Sequence, residues 1–181
     1  MKLVVGLGNP GREYEKTRHN LGRRAVISYQ LTVGGFSGWN AKEKLFAEIA
    51  EGNVEGQKVM LARPLTFMNE SGKAVRTLIN FYKVKPDNLL VIHDDSDILL
   101  GKMKLSYGSR SAGHRGVESI IRALKTKNFW RLRVGIRPPS EEIRKKAEAL
   151  ILEPFTIFEE RRLKSDIFPH ASESIRAWSN K

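Results

Sequence analysis

Cysteine is absent from these 181 residues. That excludes thiol nucleophiles, redox pairs, disulfides and Cys-ligated zinc, and it suits a reducing compartment. Long apolar runs are absent as well. No stretch approaches the ~20 residues of a membrane span. "LVV" after Lys2 is too short for the core of a signal peptide. A cytoplasmic protein is therefore expected. Histidine is scarce, with four in the chain: His19, His93, His114 and His170. Acidic residues are in short supply, 20 Asp and Glu against 32 Lys and Arg, so the net charge is +12.

The excess charge is concentrated. Residues 98–136 carry nine basic side chains against one acid, Glu118, whereas from Arg137 onward nine bases face eight acids. The first of these stretches therefore supplies +8 of the +12. Scattered charge for solubility would be spread more evenly. A local excess of this kind favours a polyanionic partner, most often nucleic acid.

The pattern of elements alternates. "KLVVGL" reads as a strand and "NLGRRAVISYQLTV" as the following helix. "KLFAEIAEG" and "QKVMLARPL" flank "NVEG" and predict an antiparallel hairpin. "SGKAVRTLINFYKV" places Ala74, Leu78, Ile79 and Tyr82 at helical spacing, with Ser71 as its N-cap. "NLLVIHD" is the continuous apolar run of a buried central strand, and "GKMKLSYG" is a shorter strand. "GVESIIRALKT" is a helix, and "FWRLRVGI" closes the core set. After "RPPS", the segments "EEIRKKAEALIL" and "FEERRLKSDIF…SIRAWSNK" read as helices separated by Glu153-Pro154. The expected fold is a single α/β domain over residues 1–181: a twisted mixed sheet flanked by helices, with a helical C-terminal part.

Gly6, Gly8 and Gly11 in "GLGNPG" fit the G-x-G-x-x-G spacing of a dinucleotide-binding turn. The rest of the segment contradicts that reading. Gly11 leads into the polar "REYEKTRH" rather than an apolar helix, and Pro10 removes an N–H that could face phosphate. The acid that holds a ribose is also missing, since Ala25–Lys42 contains no Asp or Glu. What remains is an irregular turn at the C-terminal edge of a strand, where α/β sheets bind ligands, with Asn9, Tyr14, Arg18, His19 and Asn20 above it.

Three other segments carry polar groups. "LLVIHDDSD" ends with His93 and Asp95 on one side of the strand and Asp94 on the other. A carboxylate there can fix the tautomer of a histidine, cap a turn, pair with a lysine, or join Asp95 and Asp97 around magnesium. The residues alone leave these open. Asn69 in "TFMNESGKAV" can donate to an oxyanion or close an Asx turn. "GSRSAGHRG" opens onto a helix and can bind phosphate, but it lacks the Lys-Ser/Thr of an NTP-hydrolysing loop.

Taken together, "VGLGNPGREYEKTRHNLG", "LTFMNESGKAV", "IHDDSDILLGKMKL", "SAGHRG" and "FWRLRVGI" resemble the bacterial peptidyl-tRNA hydrolases in order and spacing, from the first residue to about Ile136. The resemblance implies a monomeric, cofactor-free and metal-free hydrolase. It would cleave the ester between a peptide, or an N-blocked amino acid, and the terminal ribose of tRNA, recycling peptidyl-tRNA without a covalent intermediate. His19 would be the general base on water, and Asp94 would orient it and tune its basicity. Asn9 would distinguish blocked from free aminoacyl ends. Tyr14, Phe67 and Asn69 would contact the substrate end, with Asn69 the oxyanion donor. Lys104 and Arg133, on adjacent strands, would grip tRNA phosphate, which positions substrate without reading sequence and makes affinity salt-dependent.

One position departs from the family. Arg115 stands where asparagine is usual, and a guanidinium donates only, so it would bind a phosphate or a peptide carbonyl instead. Two other readings use the same residues: a non-catalytic RNA-binding relative, and a metal-dependent nuclease built on Asp94, Asp95 and Asp97.

Overall fold

The run "LLVIHDD" is buried along its whole length, as a strand covered on both faces requires. A computed structural model describes residues 1–139 and 146–181 and places this run among the inner strands of one seven-stranded sheet. The strands are β1 (Lys2–Gly6), β2 (Asn40–Lys42), β3 (Ala47–Val54), β4 (Gln57–Pro64), β5 (Leu89–Leu99), β6 (Met103–Tyr107) and β7 (Trp130–Arg137). Their order across the sheet is β2-β3-β4-β1-β5-β7-β6. The four inner strands β4, β1, β5 and β7 run parallel. The edges β6 and β3–β2 run antiparallel. The mixed sheet is as the sequence predicts.

The β3–β4 hairpin turns at Glu55 and Gly56, both with positive φ (51° and 84°), the backbone a two-residue hairpin favours. Its first strand begins at Ala47, because Glu43–Leu45 form a single 3-10 turn.

Helix α1 (Leu21–Val33) covers one face together with α6 (Phe168–Ser179), burying Leu21, Val26, Phe168, Ile175 and Trp178 against Val4, Ile92 and Val134. Helices α2 (Ser71–Tyr82) and α3 (Arg115–Leu124) cover the other, burying Val75, Leu78, Val117 and Ile120 against Leu3, Met60 and Val91. Each such aliphatic side chain contributes about 1.5–3 kcal/mol relative to exposure. Two short helices, α4 (Ala147–Leu150) and α5 (Ile157–Arg162), lie in the C-terminal part, and a π-helical turn (Leu163–Ile167) joins α5 to α6. Residues 141–145 of the expected helix "EEIRKKAEALIL" fall outside the described residues. No helix among the described residues is long and apolar enough to cross a membrane.

Gly6 at the end of β1 and Gly22 at the start of α1 serve packing. A Cβ on Gly22 would run into the carbonyl of Ile92, and one on Gly6 into the carbonyl of Gly22. Only glycine at both places lets the start of α1 rest on β1 and β5. That contact carries the residues just before α1 onto the C-terminal end of β5.

Ser71 is not the N-cap of α2. It is the first helical residue, and its hydroxyl donates to the Met68 carbonyl at 2.8 Å, within the preceding 3-10 turn Met68–Glu70.

Candidate active site

His19 sits in a 3-10 turn, Arg18–Asn20, immediately before α1. Its backbone is held by the C-terminal segment: His19 N–H donates to Ile151 O at 2.9 Å and Arg18 N–H to Glu153 O at 3.0 Å. Arg18 adds an ion pair to Glu159 at 2.7 Å and lies over the Phe155 ring. The part of the chain furthest along the sequence thus fixes the position of an imidazole near its beginning.

Asp94, on β5, is buried and faces that imidazole. Its Oδ1 and Oδ2 lie 2.9 and 3.1 Å from His19 Nδ1. Oδ1 also lies 3.0 Å from His114 Nε2. Burial pushes the Asp94 carboxyl up, but His114 and His19 outweigh it and hold the group well below the usual carboxylate range. The carboxylate is therefore ionised and accepts from both rings.

The two tautomers follow from the other ring nitrogens. His114 caps α3: its Nδ1 accepts from the Val117 N–H at 3.2 Å, so Nε2 carries the proton given to Asp94. His19 donates through Nδ1–H, which leaves the lone pair on Nε2, an atom with no partner among the described residues. A third ring, His93, lies edge-on to His114 at 4.6 Å between centroids and donates Nδ1–H to the Asp94 carbonyl at 2.7 Å. Burial, then the neighbouring His114, drives the His93 pKa well down, so this ring stays neutral.

The asparagines are brought together differently. Asn9 Oδ1 accepts from the Met68 N–H at 2.7 Å, which ties the first turn to the segment before α2. Asn20 clamps the same turn, accepting from Asn9 N–H at 2.8 Å and donating to Asn9 O at 2.9 Å. The Asn9 carbonyl oxygen is thus committed, and its NH2 group keeps its donors. Asn69, next to Met68, is exposed and makes no hydrogen bond among the described residues. Tyr14 and Phe67 meet edge to face at 6.3 Å, and Phe67 remains half exposed.

Lys104 and Arg133 are cross-strand partners on β6 and β7. Arg133 bonds Asp95 at 2.7 Å, while Lys104 is exposed and unpaired among the described residues. Arg115 stands at the start of α3, three-quarters exposed, with its guanidinium 3.9 Å from Glu148 of α4. The family-like loop before it does not leave its helix N-terminus open to phosphate at Val117, because the His114 ring takes that N–H.

The alternatives for Asp94 resolve in favour of histidine. It neither caps a turn nor pairs with lysine. Asp95 is occupied by Arg133 and by the Asp97 N–H, so Asp94, Asp95 and Asp97 do not converge as metal ligands. The grouping that could hold a metal is His19, Asp94 and His114, whose candidate atoms lie within 4.8 Å. Those same atoms are paired with each other at 2.9–3.0 Å, so a metal would have to displace the protons that now join them.

The sequence places Arg18 and Asn20 above the sheet edge and His93 at the strand end but assigns them no role, and it assigns none to His114. His114 was visible beside a Gly-rich loop, but its bond to Asp94 depends on how that loop meets the strand end.

A buried histidine–carboxylate pair at the carboxyl end of the parallel strands lies where α/β sheets bind their ligands and is a candidate acid–base centre. The model of the family described as peptidyl-tRNA hydrolase matches residues 3–181. The peptidyl-tRNA hydrolase of Mycobacterium sp. (strain KMS) is 49% identical over 158 residues, covering 87% of this chain and 80% of the relative. That of Aquifex aeolicus is 44% identical over 166 residues, covering 89% and 81%. The crystal structure of peptidyl-tRNA hydrolase from Acinetobacter baumannii superposes with a TM-score of 0.88 at 32% identity, covering 99% of this chain and 89% of the other. The chain belongs to the peptidyl-tRNA hydrolase family and is an enzyme of that activity.

Proposed function

We propose that His19 Nε2 removes a proton from a water molecule that attacks the ester carbonyl joining a peptide, or an N-blocked amino acid, to the terminal ribose of tRNA. The observation that carries this reading is the Nδ1 bond to Asp94 at 2.9 Å, which leaves the base on the outward nitrogen of a single tautomer. As His19 takes the proton, the ionised Asp94 balances the imidazolium. The tetrahedral oxyanion is met by the unpaired amide of Asn69, and the Asn9 NH2 orients the peptide end. Collapse of the intermediate expels the ribose oxygen, to which His19 returns the proton. Tyr14 and Phe67 form an aromatic wall for the substrate end. Lys104, with Arg133 beside it, neutralises phosphates of the acceptor stem, and exposed Arg115 is a further cation for phosphate or a peptide carbonyl.

This chemistry uses protons only. Release of an N-acetylated amino acid from tRNA in the presence of EDTA tests it: turnover is expected to persist at the rate seen without chelator. Loss of turnover on chelation would place a metal among His19, Asp94 and His114 and contradict the reading.

A further inference from the structure

The loop that carries His114 is tied to the sheet at few points. Residues 108–113 leave β6 with positive φ at Gly108 (64°), Ala112 (51°) and Gly113 (81°), a backbone that alanine adopts only where its surroundings impose it. Gly108 N–H and the Ser109 hydroxyl make long bonds of 3.4 Å to Phe129 O and Tyr107 O. The short bond comes from beneath, where Arg131 Nη2 donates to Arg110 O at 2.7 Å. Arg131 lies on β7 between Val91 of β5 and Ser106 of β6, and it is 1% exposed. Its Nε and Nη1 are buried with no partner among the described residues. Asp95, whose charge reaches it, is bound to Arg133 at 2.7 Å. Burial, then the charge of Arg133, lowers the pKa of the Arg131 guanidinium. A buried cation without its own carboxylate lowers folding stability, and an aliphatic side chain of similar length would fill the same space. What the guanidinium supplies that such a chain cannot is the bond to Arg110 O.

We propose that Arg131 is a positioning residue for the active centre, fixing through Arg110 O the loop from which His114 reaches Asp94. The proposal rests on the reading of His19 as the base oriented by Asp94. Arg110 precedes His114 by four residues, and His114 N–H closes the end of the loop onto Ser111 O at 3.1 Å. His114 Nε2 then meets Asp94 Oδ1, the oxygen that also lies 2.9 Å from His19 Nδ1. Two donors hold the plane of that carboxylate. With the loop untied, Asp94 loses one of them and can turn about its Cβ–Cγ bond, away from His19 Nδ1. A buried charge on one strand thus sets the angle of a carboxylate on the next.

The test is a double-mutant cycle of Arg131→Met and His114→Asn, where Asn keeps the helix cap but gives up the bond to Asp94. For N-acetylated aminoacyl-tRNA, kcat is expected to fall about tenfold in Arg131→Met, with affinity for deacylated tRNA within about twofold of the parent. In the His114→Asn background the same change is expected to alter kcat by less than about twofold. The urea midpoint of Arg131→Met is expected at or above that of the parent chain. An unchanged kcat, or an equal fall in both backgrounds, overturns the proposal. A loss confined to tRNA affinity makes Arg131 a source of positive potential for substrate, and a lowered midpoint makes it a folding residue; each overturns it as well. NMR adds a readout that needs no turnover. Solvent exchange of the His114 Nε2 proton, assigned by its absence in His114→Asn, is expected to quicken at least about tenfold in Arg131→Met while the β5 amides stay protected. Unchanged exchange overturns the proposal. Full activity in His19→Ala would remove the base reading, and the exchange result would still decide whether Arg131 holds the loop.

Discussion

His19 and His114 bond the same oxygen of one carboxylate, Asp94 Oδ1, at 2.9 and 3.0 Å, with their rings 4.9 Å apart. The carboxylate therefore faces two N–H donors, and each donor's other nitrogen has a different fate. In His114 it is consumed by a helix cap; in His19 it is left for substrate.

Asp94→Asn tests the tautomer. An amide offers one acceptor oxygen where two N–H groups need it, and its NH2 would face a donor. His19 then moves its proton to Nε2 and loses its base. Hydrolysis is expected to fall ~10²–10⁴-fold with tRNA affinity unchanged. Single-turnover rates beside tRNA binding separate the two effects, and a rate within threefold of the parent chain would contradict the tautomer assignment.

The cap role of His114 gives a stability prediction. Removing the acceptor from the Val117 N–H is expected to cost about 1 kcal/mol in His114→Ala, whereas Asn at an N-cap restores most of it. Urea unfolding of the two variants should rank Asn above Ala. Equal stability would mean that the Nδ1 contact carries no weight.

These residues also mark how far the sequence was legible. The central strand could be read because its seven-residue buried run requires cover on both faces. The helices could be read because apolar spacing matches the faces they bury. The link from His19 to Asp94 became legible through motif order, since 75 positions separate them and only the packed fold brings them together. His114 was hidden because a ring beside glycines carries no signal of which carboxylate it meets. Ser71 misled because its hydroxyl finds a carbonyl three residues back, inside the 3-10 turn, rather than an amide ahead.

His93 makes stability depend on pH. Burial and the neighbouring His114 hold its folded pKa well below the ~6.5 of an unfolded histidine. On acidification the unfolded chain takes up a proton that the folded ring refuses. This contribution is complete above about pH 6.5 and is lost as pH falls, by at most about 1.4 kcal/mol per pH unit. Asp94, whose folded pKa is lowered, acts in the same direction only where unfolded carboxylates protonate, near pH 4. In His93→Asn the histidine share disappears, so the stability gap to the parent chain should narrow between pH 7 and pH 5. A gap that stays constant would show that His93 protonates as easily folded as unfolded.

The role of His19 as the base is tested by the rate of N-acetylated amino acid release from tRNA by the parent chain and by His19→Ala, with tRNA affinity measured alongside. Release by the variant is expected to be ~10²–10⁴-fold slower at unchanged affinity. A variant that releases the amino acid at the parent rate would contradict it.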